Sequence, residues 1–197
     1  MLYDLWFDAE YQAGHPQGMI EVSKLAIDSE PNPSADWFYK KSLGEWLLAQ
    51  SLIRARNYAG SLSQIKQAQK DVNTAIKASR KGSNQDLIEI SKQLTDEAWK
   101  VAVSIDTKDG WIDALDIAQT AIKFGDIRQC NFDRSQSSLE KLVNDGFSKS
   151  SSGKAFITHN LEKLQDKLEL KRDGKYAWTH QDLAAFDQRI EELKEHL

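Results

Sequence analysis

The distribution of proline constrains the fold of this 197-residue chain more than any other sequence feature. All three prolines lie near the beginning, at Pro16, Pro31 and Pro33, and none follows in the remaining 164 residues. Proline breaks a helix because it lacks the amide donor and clashes with the preceding turn. A long tract without proline, interrupted only by single glycines, therefore predicts a succession of helices.

Apolar residues recur at intervals of three and four along this tract, as they do on the buried face of a helix. Such stripes run over residues 62–76, 87–105 and 112–122. Two shorter stripes follow, over 157–168 and 183–197. We therefore predict an all-α fold, a right-handed multi-helix stack or bundle of about seven to nine helices.

The segment 29–34 is the clearest break in the chain, because its two prolines push the residues before them out of helical geometry. The sequence thus predicts a pair of short helices in residues 1–33, near 2–13 and 17–28. A main helical body over 34–147 and a C-terminal helical hairpin or appendage over 148–197 follow.

Residues 168–178 are open to two interpretations. Asp173 and Gly174 are flanked by alternating apolar residues, which is the pattern of a β-hairpin with a type I′ turn. The alternative is a connection between two helices that turns at Gly174. Both interpretations stay open at this stage.

Composition excludes several classes of protein. No stretch approaches the 18 or so consecutive apolar residues of a membrane span, and Cys130, as the only cysteine, excludes a disulfide scaffold. Apolar residues make up 40% and charged residues 28% of the chain, as in soluble globular proteins. The first residues lack a secretory signal pattern. We expect a cytoplasmic protein without a membrane partner.

Patterns typical of catalysis or metal binding are weak. The four histidines form no zinc-binding pair, and Cys130 has no base beside it in sequence. The serine-rich residues 146–155 depart from the spacing of a phosphate-binding loop. Asp109, Asp113 and Asp116 share one helical face and are candidate ligands of a hard metal ion. The alternative is that the helix dipole stabilises acidic residues in the first turns of the helix. We therefore predict a non-enzymatic protein without a metal or cofactor.

Two groups of adjacent aromatic residues are the candidate partner-binding residues. They are Trp6 and Phe7, and Trp37, Phe38 and Tyr39. Consecutive residues on a helix point in different directions, so some of these rings are expected to be exposed as anchors for a protein partner. The alternative is that the N-terminal helix pair packs on the body and buries them.

One basic segment stands out in a chain of net charge -4. Residues 149–175 carry seven basic and four acidic groups. Six of the basic groups are candidate contacts to the phosphates of nucleic acid: Lys154, Lys163, Lys167, Lys171, Arg172 and Lys175. Acidic residues interleaved among them favour the alternative, a mixed solvated surface.

The segment 98–126 resembles a tetratricopeptide unit, a hairpin of two closely packed helices. The matching residues are Ala102 in the first helix, Ala114, Ala118 and Ala121 in the second, and the turn Lys123-Phe124-Gly125-Asp126. Small residues at such positions let two helices approach closely. The resemblance implies one TPR-like helical hairpin and a role in protein–protein interaction.

The same region is similar to the small terminase subunit of temperate tailed phages. The matching residues are Asp96, Ile105-Asp106-Thr107, the segments 114–118 and 121–125, and Phe132-Asp133-Arg134-Ser135. This similarity implies a DNA-packaging protein and carries over no catalytic residue.

Together these observations lead to two functional expectations. The first is a helical protein–protein interaction module, an adaptor or an inhibitor of a protein partner. The alternative is a nucleic-acid-binding protein, such as a phage DNA-packaging subunit, that uses residues 149–178.

Overall fold

The structure, a computed structural model, describes residues 2–79, 84–172 and 179–197. The described residues form nine α-helices and one short 3-10 helix, Phe147–Lys149, and no strand, which confirms the all-α prediction. The α-helices are α1 (Leu2–Gln12), α2 (Pro16–Ser29), α3 (Ala35–Arg54), α4 (Tyr58–Ala78), α5 (Gln85–Ile105), α6 (Lys108–Lys123), α7 (Gln129–Asn144), α8 (Ser151–Arg172) and α9 (His180–Glu195). None of these helices has both the length and the apolar character needed to cross a membrane.

The chain divides into two compact units, Met1–Ile105 and Asp106–Leu197. Unit 1 contains α1 to α5, and unit 2 contains α6 to α9. This division differs from the three predicted segments, which end after residues 33 and 147. The physical reason is shared packing: α2 packs along α3 in unit 1, and α8 and α9 share one apolar core with α6 and α7 in unit 2.

In unit 1, each helix packs against the next along the chain. Helices α1 and α2 form an antiparallel hairpin, because Gly14 reverses the chain with a φ of 67°. The carboxylate of Glu10 on α1 lies over Gly18 on α2, in the space that a Cβ there would occupy. The hairpin then buries Phe7, Met19 and neighbouring residues against α3.

In unit 2, the stripes at 157–168 and 183–193 meet in a single apolar core. Phe132 on α7 packs edge-on against Phe186 on α9, with ring centroids 5.9 Å apart. Helix α7 also buries several polar side chains. One of them, Gln136, is fully buried, and neither polar atom of its side-chain amide has a hydrogen-bond partner among the described residues.

The end of α8 bears on the two interpretations of residues 168–178. Helix α8 continues to Arg172, so the first strand of the predicted hairpin, residues 168–172, is wrong. The reason is that Leu168 extends the apolar stripe of α8 and is only 1% exposed. Gly174 and the rest of the predicted hairpin lie outside the described residues.

The segment that resembles a tetratricopeptide unit is divided between the two units. Its first part forms the end of α5 in unit 1, and its second part forms α6 in unit 2. Ala102, Ala114 and Ala118 are fully buried. Helix α6 ends at the expected turn, where Gly125 has a φ of 94°. The TPR-like hairpin itself stays a prediction.

Candidate functional site

Two of the five aromatic candidates belong to the core of unit 1. Phe7 and Trp37 are 5% and 6% exposed, and their rings meet edge-on with centroids 6.5 Å apart. This contact joins α1 to α3. The prediction that Phe7 and Trp37 anchor a partner is corrected, because each ring is buried by the other helix. Phe38 and Tyr39 are half-buried.

Trp6 lies on the other side of α1, where it belongs to an exposed apolar face. Leu2, Leu5 and Trp6 are 78%, 67% and 42% exposed, and Ala9 is exposed beside them. The spacing of three and four residues places these four side chains on one side of the helix. We call Leu2, Leu5, Trp6 and Ala9 the α1 outer face. Large apolar side chains that are exposed together indicate an interaction site, whereas single ones do not.

Leu2 and Leu5 are functional candidates that the sequence reasoning missed. The signal was present, since α1 has apolar residues on two sides. Tyr3 and Phe7 face the core, and Leu2, Leu5 and Trp6 face away from it. A short helix that only packs on its own protein needs one apolar stripe. The second stripe is therefore the informative feature.

The orientation of α1 is fixed by Lys40 on α3. Its Nζ lies 2.8 Å from Asp4 Oδ1 and 2.9 Å from Asp36 Oδ2. The same ammonium lies 4.4 Å from the ring centroid of Trp37 and 5.5 Å from that of Phe7, within the range of cation–π attraction. Lys40 thereby ties α1 to α3 and directs the outer face of α1 toward solvent.

These contacts shift the pKa values of both partners in the direction that strengthens the pairing. The hydrogen bond from Lys40 lowers the pKa of Asp4 to about 2. Burial lowers the pKa of Lys40, but hydrogen bonds to Asp4 and Asp36 outweigh burial and raise it above its ordinary value. Both groups are therefore charged throughout the physiological pH range.

The surroundings of the α1 outer face are strongly acidic. Residues 1–40 contain seven acidic residues and two lysines, a net charge of -5. The acidic residues are Asp4, Asp8, Glu10, Glu21, Asp28, Glu30 and Asp36. Glu10 also accepts a hydrogen bond of 3.0 Å from the indole Nε1 of Trp6, which holds that ring in place. The face is thus an apolar stripe on an anionic helical hairpin.

A buried ionic cluster lies deeper in unit 1, between α3 and α4. Lys41 Nζ is 2.9 Å from Glu45 Oε1 and 2.6 Å from Asp71 Oδ2, and Gln67 donates to the same Asp71 oxygen at 3.2 Å. Burial, and then the neighbouring Asp71 carboxylate, raise the pKa of Glu45 to about 8, although Lys41 opposes the shift. The side chain of Glu45 is 3% exposed, so the cluster holds a proton where a substrate has no access.

The described lysines of the predicted basic segment do not all lie on one side of α8. Lys154, Lys163 and Lys167 are exposed on α8. At about 100° per residue, Lys154 lies on the opposite side of the helix axis from Lys163. Exposed Glu162 and Asp166 alternate with the lysines. Lys163 and Lys167, four residues apart, share one side of α8, and Lys154 does not join them. Their role in binding nucleic acid stays a prediction. The side chains of Lys171 and Arg172, and the whole of Lys175, lie outside the described residues.

Other chemistry considered from the sequence has no assembled site in the described residues. No group of three or more His, Cys, Asp and Glu side chains in ranges 2–79, 84–172 and 179–197 is arranged to hold a metal ion. Cys130 is partly buried as a free thiol. No protein-family model, curated protein or solved structure matches this chain.

Proposed function

We propose that this protein is a helical protein–protein interaction module that docks a partner on the α1 outer face. The observation that supports the proposal is the exposure of Leu2, Leu5 and Trp6 on a helix whose other side is already buried. Fully covering a leucine side chain contributes about 1.5–3 kcal/mol, so these side chains supply a favourable hydrophobic contribution to binding. The contacts of Lys40 hold the face in place before a partner arrives, which reduces the entropy lost on binding.

The charge around this face supports a cationic partner. A net charge of -5 over residues 1–40 favours a partner helix with an apolar stripe and lysine or arginine on both sides of it. The same charge opposes a second copy of this chain, since two anionic hairpins would repel each other. It also opposes an anionic membrane surface, which attracts basic helices.

A designed peptide tests the proposal directly. The probe is a fluorescein-labelled amphipathic helix with leucine on one face and lysine on the other, and its control carries glutamate in place of lysine. Fluorescence anisotropy is measured with the wild type and with the double variant Leu2→Ser/Leu5→Ser. Loss of two buried leucines is expected to weaken binding of the lysine peptide about a hundredfold or more.

The control variant is Phe124→Ser, because Phe124 is 72% exposed in unit 2, outside the proposed surface. Phe124→Ser is expected to bind the lysine peptide with the affinity of the wild type. The glutamate peptide is expected to bind neither the wild type nor Phe124→Ser. Equal binding by the wild type and the Leu2→Ser/Leu5→Ser variant would refute docking at the α1 outer face. Tighter binding of the glutamate peptide would refute the assigned partner chemistry.

A further inference from the structure

The most basic part of the chain lies in unit 1 and not in the segment 149–175. Residues 54–81 contain seven basic residues and one acidic residue, a net charge of +6. The basic residues are Arg54, Arg56, Lys66, Lys70, Lys77, Arg80 and Lys81. The acidic residue, Asp71, is 7% exposed and is bound by Lys41 on α3. It therefore does not neutralise the positive charge at the surface.

Helix α4 gathers three of these lysines on one side. At about 100° per residue, Lys66, Lys70 and Lys77 fall within an arc of about 40°. Their side of the helix is opposite the one that buries Ala68 and Ala75. Lys70 and Lys77 are exposed, and Lys66 is half-buried. At about 1.5 Å per residue, this α4 lysine row extends about 16 Å along the helix.

Lys70 and Lys77 are the two exposed lysines of the row and are available to an external anion. Among the described residues, neither Lys70 nor Lys77 forms an ion pair. Apart from Lys66, the described residues three and four positions from Lys70 and Lys77 on α4 are polar and uncharged, namely Gln67, Asn73 and Thr74. The Thr74 hydroxyl donates to the backbone oxygen of Lys70 at 3.0 Å. Nothing on α4 competes with a ligand for the two ammonium groups.

The composition of this side of α4 narrows the class of polyanion. A helix that binds at a membrane surface exposes large apolar residues beside its basic ones, and α4 exposes none. Proteins that hold single strands stack bases on aromatic rings, and no aromatic residue lies on this side of α4. A row of lysines among small polar residues suits the regularly spaced phosphates of a duplex.

We propose that the α4 lysine row binds the phosphate backbone of double-stranded nucleic acid without reading its sequence. This surface is separate from the α1 outer face, so the inference does not depend on the proposed protein partner. Its affinity comes from the counterions that lysines displace from phosphates. Binding is therefore expected to weaken steeply as salt is added.

The test compares two matched pairs of lysines in the full-length chain. The probe is a labelled DNA duplex of mixed sequence, and fluorescence anisotropy is followed from about 50 to about 200 mM salt. The variant Lys70→Gln/Lys77→Gln removes two proposed phosphate contacts. The control Lys163→Gln/Lys167→Gln removes the same charge from two exposed lysines of α8.

The plot of log affinity against log salt has a negative slope. Neutralising two phosphate contacts should make that slope less steep by about 1.8 and weaken binding about a hundredfold at low salt. The α8 control should retain the slope and affinity of the wild type. Equal losses in both variants, or loss in the α8 variant alone, would overturn the assignment to α4. Absence of binding by the wild type at low salt would overturn it as well. Equally effective competition by polyglutamate would instead indicate an acidic protein as the ligand.

Discussion

Replacing Glu45 by glutamine should change how the stability of unit 1 depends on pH. Glu45 lies in the buried cluster with Lys41 and Asp71, and its pKa is raised from an ordinary 4.5 to about 8 by burial and then by Asp71. A carboxyl whose folded pKa is raised stabilises the folded state fully below its unfolded pKa. That stability is lost progressively as pH rises toward the folded pKa. The wild type is therefore expected to become less stable from about pH 4.5 to about pH 8.

The size of this effect follows from the two pKa values. Between about pH 5 and about pH 7, proton linkage at Glu45 lowers the free energy of unfolding by about 2.5 kcal/mol. Glu45→Gln keeps the shape of the side chain and removes the group that titrates. The free energy of unfolding of the variant should therefore not fall by this amount between about pH 5 and about pH 7. Lys41 does not enter the comparison, because the raised pKa of its ammonium makes its contribution change only at higher pH.

Urea unfolding at several pH values provides the measurement. Tryptophan fluorescence reports mainly on unit 1, which contains four of the six tryptophans. The matched control is Glu89→Gln on α5, because Glu89 is exposed and pairs only at 3.4 Å with Lys92. The control should follow the wild type across the pH range. The reasoning is refuted if Glu45→Gln loses as much stability between pH 5 and pH 7 as the wild type, within about 0.5 kcal/mol.

Two further predictions concern packing. Lys40→Met removes the ammonium that ties α1 to α3, so the backbone amides of α1 should exchange with deuterium faster than in the wild type. The control Lys24→Met, on the exposed side of α2, should leave the exchange rates of α1 unchanged. Equal exchange in both variants would show that apolar packing alone holds α1. Gln136→Met replaces a fully buried side-chain amide that has no hydrogen-bond partner among the described residues. The free energy of unfolding, measured by denaturant titration of the full-length chain, should therefore rise by about 1 kcal/mol. A loss of stability would mean that the amide has a partner.

The helices could be predicted because their signals are local. The apolar periodicity, the scarcity of proline and the break at 29–34 predicted the class and the first two helices, and the structure confirms both. The boundary between units was missed because it carries no glycine or proline. It lies at Asp106, which adopts a φ of 47°, followed by Thr107, whose hydroxyl caps α6. Aspartate tolerates this left-handed conformation better than most residues, and an isolated Asp–Thr pair is too common to indicate a boundary.

The candidate surfaces were harder to predict because they depend on which side of each helix is buried. Trp6 and Phe7 are adjacent, yet one is 42% and the other 5% exposed. Only the position of α3 against α1 decides which side faces solvent. Likewise, the lysine count of the segment 149–175 predicted a phosphate-binding surface, although Lys154 lies on the opposite side of α8 from Lys163. The net charge of +6 over residues 54–81, together with lysines that share one side of α4, is a stronger indication of a basic surface than the lysine count of 149–175.

The charge of unit 1 is divided along its sequence of packed helices. Residues 1–40 carry a net charge of -5, and residues 41–105 carry ten basic and six acidic groups, a net of +4. Helix α2 packs on one side of α3 and α4 packs along it as well, so α3 is shared by an acidic hairpin and a basic helix. The electric field of such a charge distribution is expected to steer the proposed cationic partner toward α1 and the proposed polyanion toward α4, and to repel each from the other surface. A nearly neutral unit with evenly mixed charges would direct neither partner, so the separation of charge supports the proposal of two distinct binding surfaces on unit 1.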